Sequence, residues 1–496
     1  MRSLKILLVV LLVYCLWGCG ADEGSQDGDS DKIDGDEDFD AWWEQDTDGD
    51  AFIPCQPGGC DGGRICNTET GLCEDCIKDI DCGLPDPETG ITPVCLEGVC
   101  TDLICRAITE VQEVPLGAQL PVTQLEPVID SDKNLVVEGN QVFPIGISGL
   151  SESPEAYLSE AKDNGFNLVL HEGGCCSVTG ELDSQKSFLE SVHNPVDLFA
   201  AVRAIWPPEQ IEGDNQVGLR DSIIERSNSS ALLMWMIDNP SFENKLDWIG
   251  PLYDYIKKVD SGHLVALADH SGVDYSAYFD KSDVIIHTLE FPASGEDFTY
   301  IASKIEELSS NPAAPPVWAR IPLVPQSAID CLESGNCDGE QGTPPSLEDI
   351  KLASYTALAA GAKGLIFWAY KLGDYSIGYD GWRDIKSFAS QLHKRTLLWL
   401  SPDEDDMVTL EQNGNAVKLL TKDYSKTFIA YLINTSNQSQ SVKLKVKPEK
   451  APYCLGLEGE DQLMHLEREL EVDIELAAFE IKVYQVSESS EPGGEE

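Results

Sequence analysis

At 496 residues the chain exceeds one ordinary domain and can bury a large core, with roughly two to four units expected for this length. Its formal net charge of −53 leaves no basic stripe for phosphates, which excludes nucleic acid as an expected partner. The same acidity fits either a saline habitat or simple solubility.

The N-terminus, "MRSLKILLVVLLVYCLWGCG", has a basic start and an apolar run that reaches small residues too soon for a comfortable membrane span. It reads as an export signal. Residues 16–19, "LWGC", resemble the bacterial lipobox, which implies cleavage before Cys19 and lipid attachment there. Trp17 is unusual in such a box, Cys15 follows a bulky Tyr14, and a plain secretory peptide stays open as the alternative. By resemblance to the enteric sorting rule, the lack of Asp directly after Cys19 points to the outer membrane or cell surface of a Gram-negative bacterium. Residues 20–54 are rich in Asp, Gly and Ser and form an expected acidic, self-repelling tether. Within it "DTDGD", Asp46 to Asp50, looks like half a calcium loop, but Pro57 stands where the bidentate glutamate is needed.

Residues 55–106 hold Cys55, Cys60, Cys66, Cys73, Cys76, Cys82, Cys95, Cys100 and Cys105 with few large aliphatics between them. Such a segment cannot build a conventional core and is expected to be stapled by disulfides in an oxidising compartment. Zinc is the rival through "CEDC", Cys73 to Cys76, yet the segment has no second such pair and no histidine. The odd ninth cysteine implies pairing outside the module, with Cys105 the candidate.

From residue 107 to 405 strand and helix signals alternate. "NLVVEGNQVFPIGIS" reads as a hairpin with a Gly139-Asn140 turn whose second arm runs on as an apolar strand. "SPEAYLSEAKDNGF" follows as a helix, with Ser153 as N-cap, Pro154 in its first turn and Gly165 past its end. Further strands are "NLVLHEG", "AVRAIWPPE", "LLMWMIDNP", "HLVALADHS", "DVIIHTLEFP", "VWARIPLVP" and "GLIFWAYK". Helices between them include "FENKLDWIGPLYDYIKKV", "FTYIASKIEELSS" and "SLEDIKLASYTALAAGA". Eight apolar strands, each ending in polar groups, predict an α/β fold, a (β/α)8 TIM barrel. A doubly wound sheet would show a Gly-rich turn after its first strand, of which "GISGLS" is a weak echo. Residues 406–486 alternate apolar and polar with turns such as "NGN" and "NTSNQSQ", which predicts a C-terminal antiparallel β-sandwich. Residues 487–496 are an acidic tail.

The phrases "VEGNQVFPIGIS", "ALLMWMIDNP", "HTLEFP" and "YTALAAGAKGLIFWAY", with the sandwich, resemble TIM-barrel glycoside hydrolases of the β-galactosidase and cellulase type over residues 135–485. The resemblance implies an acid/base glutamate at the end of strand four and a nucleophilic glutamate at the end of strand seven. Such chemistry needs two carboxyls facing across one sugar, about 5 Å apart for retention and roughly 6.5–9.5 Å for inversion. Here the strand-four phrase is Asp238-Asn239-Pro240, so an amide stands at the acid position. Strand seven offers Arg320 and Gln326 and no carboxylate.

Strand ends supply the remaining candidates: His171 and Glu172, Glu209, Asp238, Asp269 and His270, Glu290, Tyr370 and Lys371. Asp238 and Glu290 form the expected catalytic pair if the protein is a hydrolase. For Asp238 a structural role capping amides is equally open, and for Glu290 a rim salt bridge with Arg320. Expected substrate contacts are His171, Glu172, Trp206, Asn239, Asp269, His270, Arg320, Trp368, Tyr370 and Trp382. Sugars present flat apolar faces to indole rings, while Trp235 and Trp318 are expected in the core. No zinc-protease spacing and no Gly-x-Ser-x-Gly elbow occurs, and neither cofactor nor metal is expected. Cys175 and Cys176 either join each other or pair separately with Cys454 or Cys105, and Cys331 with Cys337 should close a small loop. Three functions stand open: a surface lipoprotein that hydrolyses carbohydrate, one that binds it, or a structural protein whose cysteine-rich module meets a protein partner.

Overall fold

The computed structural model describes residues 126–488, residue 114, and four short strands between residues 65 and 101. Within the long run, residues 151–154, 172–177, 193–197, 205–213, 241–244, 270–272, 293–294, 330–342, 373–374, 404–406, 425–426, 448–452, 458–462 and 467–469 are not described. The export signal with Cys19, the acidic tether, and the Cys175-Cys176 and Cys331-Cys337 expectations lie outside the described residues. Two units emerge, one of Met1–Ile104 with Ser490–Glu496 and one of Cys105–Ser489. In the first, Ile65–Cys66 pairs antiparallel with Cys73–Glu74, and Val94–Leu96 with Val99–Thr101. The registers set Cys66 opposite Cys73 and Cys95 opposite Cys100.

The second unit contains the eight expected barrel strands: β1 (Ile145–Ser148), β2 (Leu168–His171), β3 (Phe199–Arg203), β4 (Leu232–Asp238), β5 (Leu264–Asp269), β6 (Val284–Thr288), β7 (Val317–Pro322) and β8 (Leu365–Trp368). They pair in parallel in chain order, and β8 closes on β1 through Leu365 opposite Ile145. Strands covered on both faces must be apolar throughout, which is why β4 is buried at all seven positions. The helices are α1 (Glu155–Asp163), α2 (Val178–Ser191), α3 (Asp214–Ser227), α4 (Ile249–Val259), α5 (Ser303–Ser309), α6 (Leu347–Ala359), α7 (Gly378–Lys394) and α8 (Thr396–Leu400). Ser346 caps α6 reciprocally with Asp349, satisfying amide groups that a helix start leaves open. Gly165, at φ 89°, turns the chain out of α1.

Alternation along each strand divides the core in two. Leu170, Met234, Met236, Ala266, Ile286, Trp318 and Ile366 fill the barrel interior, while Val169, Trp235, Leu267, Ile285, Ile321 and Phe367 face the helices. The lead-in hairpin adds Leu135, Val137 and Val142 to the interior cluster and so plugs the end opposite the strand termini. Its turn centres on Glu138 and Gly139, at φ 51° and 80°, rather than on the expected Gly139-Asn140 pair. Two consecutive positive φ values are what a tight hairpin of this twist requires.

The C-terminal strands are β9 (Val408–Glu411), β10 (Val417–Tyr424), β11 (Thr427–Asn434), β12 (Gln440–Val446), β13 (Tyr453–Leu457), β14 (Leu463–Leu466), β15 (Leu470–Leu476) and β16 (Ile481–Glu488). They form antiparallel sheets in the orders β10-β11-β16-β13-β14 and β9-β12-β15. Phe428, Ala430 and Leu432 of β11 pack toward the second sheet, while Ile429, Tyr431 and Ile433 pack toward the barrel. Tyr431 stacks on Tyr355 of α6 at 5.4 Å and accepts from Arg395 at 2.7 Å. A strand buried on both faces makes barrel and sandwich share one apolar seam.

Candidate functional site

The C-terminal ends of the barrel strands define the mouth, where sites form in this fold. Interior parity sends Asp238, Thr288, Arg320 and Trp368 into it, because each lies an even number of residues from an interior core residue on its own strand, and Ser148 follows by two from Gly146, which faces the interior residues Leu168, Leu170 and Ile366.

Arg320 organises the group. It is 1% exposed, and its Nε donates to Thr288 Oγ1 at 2.7 Å, directly across the β6–β7 pairing. Nη1 donates to Asp238 Oδ1 at 2.9 Å and Nη2 to Asn239 Oδ1 at 3.1 Å. The Trp368 ring lies 4.6 Å from the guanidinium carbon, a cation–π contact that suits a weakly hydrated planar cation. Asp238 is itself 4% exposed, so the pair is a buried one. The carboxylate that the sequence offered as a catalyst thus lies in the mouth's floor, paired with the strand-seven arginine.

Asn239 now has a local reason. Its φ of 46° is left-handed, a region in which asparagine is enriched and where most side chains are strained. The amide oxygen meets Arg320, and the backbone N–H donates to the Ala268 carbonyl at 2.8 Å.

The other candidates scatter. His171 is buried with the opposite parity: its Nε2 pairs with Ser184 of α2 at 2.9 Å and its ring packs against Phe188, so it belongs to the helix layer rather than the mouth. Asp269 is also fully buried and faces His287 across the β5–β6 pairing. Beside them the Tyr275 hydroxyl donates to the Asp269 carbonyl at 2.9 Å and lies 3.3 Å from His287 Nδ1. Burial first, then the Asp269 charge, pushes the Tyr275 phenol well above its ordinary value. Trp382 is 2% exposed in α7, stacked on Phe166 and donating to Glu160 at 2.9 Å, so it too lies under the helices and not in contact with solvent. Trp235 and Trp318 are buried as expected, with Trp235 donating to Asp260 at 2.7 Å. Glu290 is exposed on the segment after β6. Tyr370 is half-buried against Tyr157 at 5.3 Å, and burial together with the Tyr157 hydroxyl raises its phenol to about 12. Glu172, Trp206, Glu209 and His270 lie outside the described residues.

Thr288 and Ser148 were missed in the sequence. Thr288 is found by counting two residues on from Ile286. Ser148 Oγ is buried and has no hydrogen-bond partner among the described residues. Among those residues no group of His, Cys, Asp and Glu could hold a metal ion.

No protein-family model and no curated protein matches the chain. Solved structures similar to it include an alpha-amylase from Geobacillus thermoleovorans complexed with acarbose, at 11% identity and TM-score 0.46, covering 76% of this chain and 97% of that one. A putative alpha-galactosidase from Bacteroides fragilis gives 11% identity and TM-score 0.42 over 72% and 83% of the two chains. An endo-1,4-beta-mannanase from Eisenia fetida gives 13% and 0.37 over 54% and 96%. No residue of this barrel takes a role from likenesses of that size.

Proposed function

We propose that the barrel binds carbohydrate at its mouth without cleaving it, on an exported chain anchored by lipid at Cys19 to the outer membrane. The observation that carries the non-hydrolytic half is the Arg320 network. Glycoside cleavage needs a carboxyl free to donate a proton and a second carboxyl across the same sugar ring. Asp238 is committed as an acceptor to Arg320, Asn239 cannot donate an acidic proton, and Glu290 is exposed to solvent on the segment after β6. What supports carbohydrate is the gathering of hydroxyl and amide groups, from Ser148, Thr288 and Asn239, around the Trp368 ring at one barrel end, together with the hydrolase-like phrases of the sequence.

The test uses the full chain, with glycan binding and reducing-sugar release measured in parallel at low and high salt. Binding without release is expected. Sugar release by the parent that disappears in folded Asp238→Ala or Glu290→Ala overturns the reading in favour of hydrolysis.

A further inference from the structure

The segment joining β6 to α5 leaves the barrel at the mouth end, and the sandwich holds it. Asp297 Oδ1 accepts from the backbone N–H of Asn437 at 2.7 Å, while the Asn437 side chain donates to the Gly295 carbonyl at 2.9 Å. One residue on, the Phe298 N–H donates to the Thr435 carbonyl at 2.8 Å. The Phe298 ring is buried edge-on between Phe291 at 5.8 Å and Phe479 at 5.7 Å. Lys418 of β10 reaches Glu306 in α5 at 3.0 Å. Asn434 and Thr435 are themselves fully buried, and Thr435 Oγ1 donates to the Ala416 carbonyl at 2.7 Å, so the sandwich side of this clamp is rigidly built.

Against that background Tyr300 stands out. Phe298 anchors a turn through the Ile301 N–H to Phe298 carbonyl bond at 3.0 Å, and Tyr300 inside the turn is 79% exposed. An aromatic side chain has few rotatable bonds, so a ring on a pinned backbone meets a ligand with little ordering cost. The chain's net charge of −53 disfavours anionic ligands near such a surface and leaves neutral ones unaffected.

We propose that this clamped segment is a contact subsite for neutral glycans at the edge of the mouth, with the Tyr300 ring as stacking platform and the sandwich turn at residues 434–438 as the part that holds it. The proposal rests on the carbohydrate-binding reading given above. Asp297 is a positioning residue in it, acting through the segment's backbone.

The experiment titrates the full chain calorimetrically with three probes, the hexasaccharides of α-1,4-glucose, β-1,4-glucose and β-1,4-mannose. For a probe that binds, Tyr300→Ala should weaken affinity about fivefold to tenfold, the size of one lost aromatic contact, while Tyr300→Phe stays within about twofold. Asp297→Ala should weaken the same probe and speed amide exchange at residues 298–302 without doing so in β11. Asp297→Asn, which keeps an acceptor for the Asn437 N–H, should restore both. If Trp368→Ala loses the probe and Tyr300→Ala does not, the subsite falls and binding at the mouth stands. Unchanged exchange in Asp297→Ala overturns the clamp. A parent protein that binds none of the probes overturns both readings.

Discussion

Replacing Arg320 by methionine tests the mouth most directly. The guanidinium is 1% exposed, and its loss leaves the Asp238 carboxylate buried without its cation. Breaking a buried pair from one side costs about 3–5 kcal/mol, because the remaining charge keeps its desolvation penalty. Thr288 Oγ1 and Asn239 Oδ1 lose their donor as well. For a unit running from Cys105 to Ser489 the unfolding entropy is about 0.8 kcal/mol per kelvin, so Arg320→Met should lower the barrel's Tm by about 4–6 °C. The double variant Arg320→Met with Asp238→Leu removes both charges and should recover most of that loss, since an apolar pair of similar volume is often neutral. Scanning calorimetry of parent, single variants and double variant closes the cycle. If Arg320→Met melts within a degree of the parent, or if the two single losses simply add, Asp238 is not held by a desolvated guanidinium and the argument against catalysis fails with it.

Three other predictions follow from local geometry. Asn239→Gly should be less destabilising than Asn239→Ala by about 1 kcal/mol in urea unfolding, because only the alanine meets the left-handed penalty at φ 46°, and equal losses would remove the backbone reason for asparagine. Burial works against the Asp260 carboxylate, but hydrogen bonds from His263 and Trp235 outweigh it and hold the carboxyl below its ordinary value. A depressed acid stabilises above its unfolded pKa, so the Tm advantage over Asp260→Asn should be full above about pH 4 and shrink as pH falls further, and a pH-independent gap would refute this. Burial lowers the pKa of Lys422, which donates to the Trp399 and Ser401 carbonyls and to Asp403. In the alkaline range the unfolded chain then binds more protons than the folded one, so stability relative to Lys422→Met should rise as pH climbs towards the ordinary lysine value of about 10.4, and a constant difference in Tm would count against it.

The barrel was legible because parallel strands covered on both faces must be written as apolar runs, and "LLMWMID" or "VWARIP" can hardly be anything else at that length. The hairpin turn was displaced by one residue because Glu138, not Asn140, shares the left-handed turn with Gly139, an assignment that side-chain type alone disfavours. The site was harder for a different reason. A polar residue at a strand end was read as a mouth residue whichever way it faced, and one step of parity sends His171 and Asp269 out of the interior while Asp238 and Arg320 go in. Counting by twos from Met234, Ile286 and Trp318 would have selected Asp238, Thr288 and Arg320 together. It would not have shown that they bond, because that depends on how the closed barrel sets β4 against β6 and β7.

That dependence bears on how the missing glutamates are understood. Taken singly, an asparagine on strand four and an arginine on strand seven look like two independent losses. In space they are one arrangement: Arg320 reaches from β7 to Asp238 and Asn239 at the end of β4, and a glutamate at position 239 would set a second carboxylate beside a cation already paired with Asp238. Restoring the acid alone therefore changes the charge of the floor without freeing a proton donor. Asn239→Glu on its own should leave the protein unable to release sugar, and detectable release by that single variant would show that Arg320 does not control the mouth.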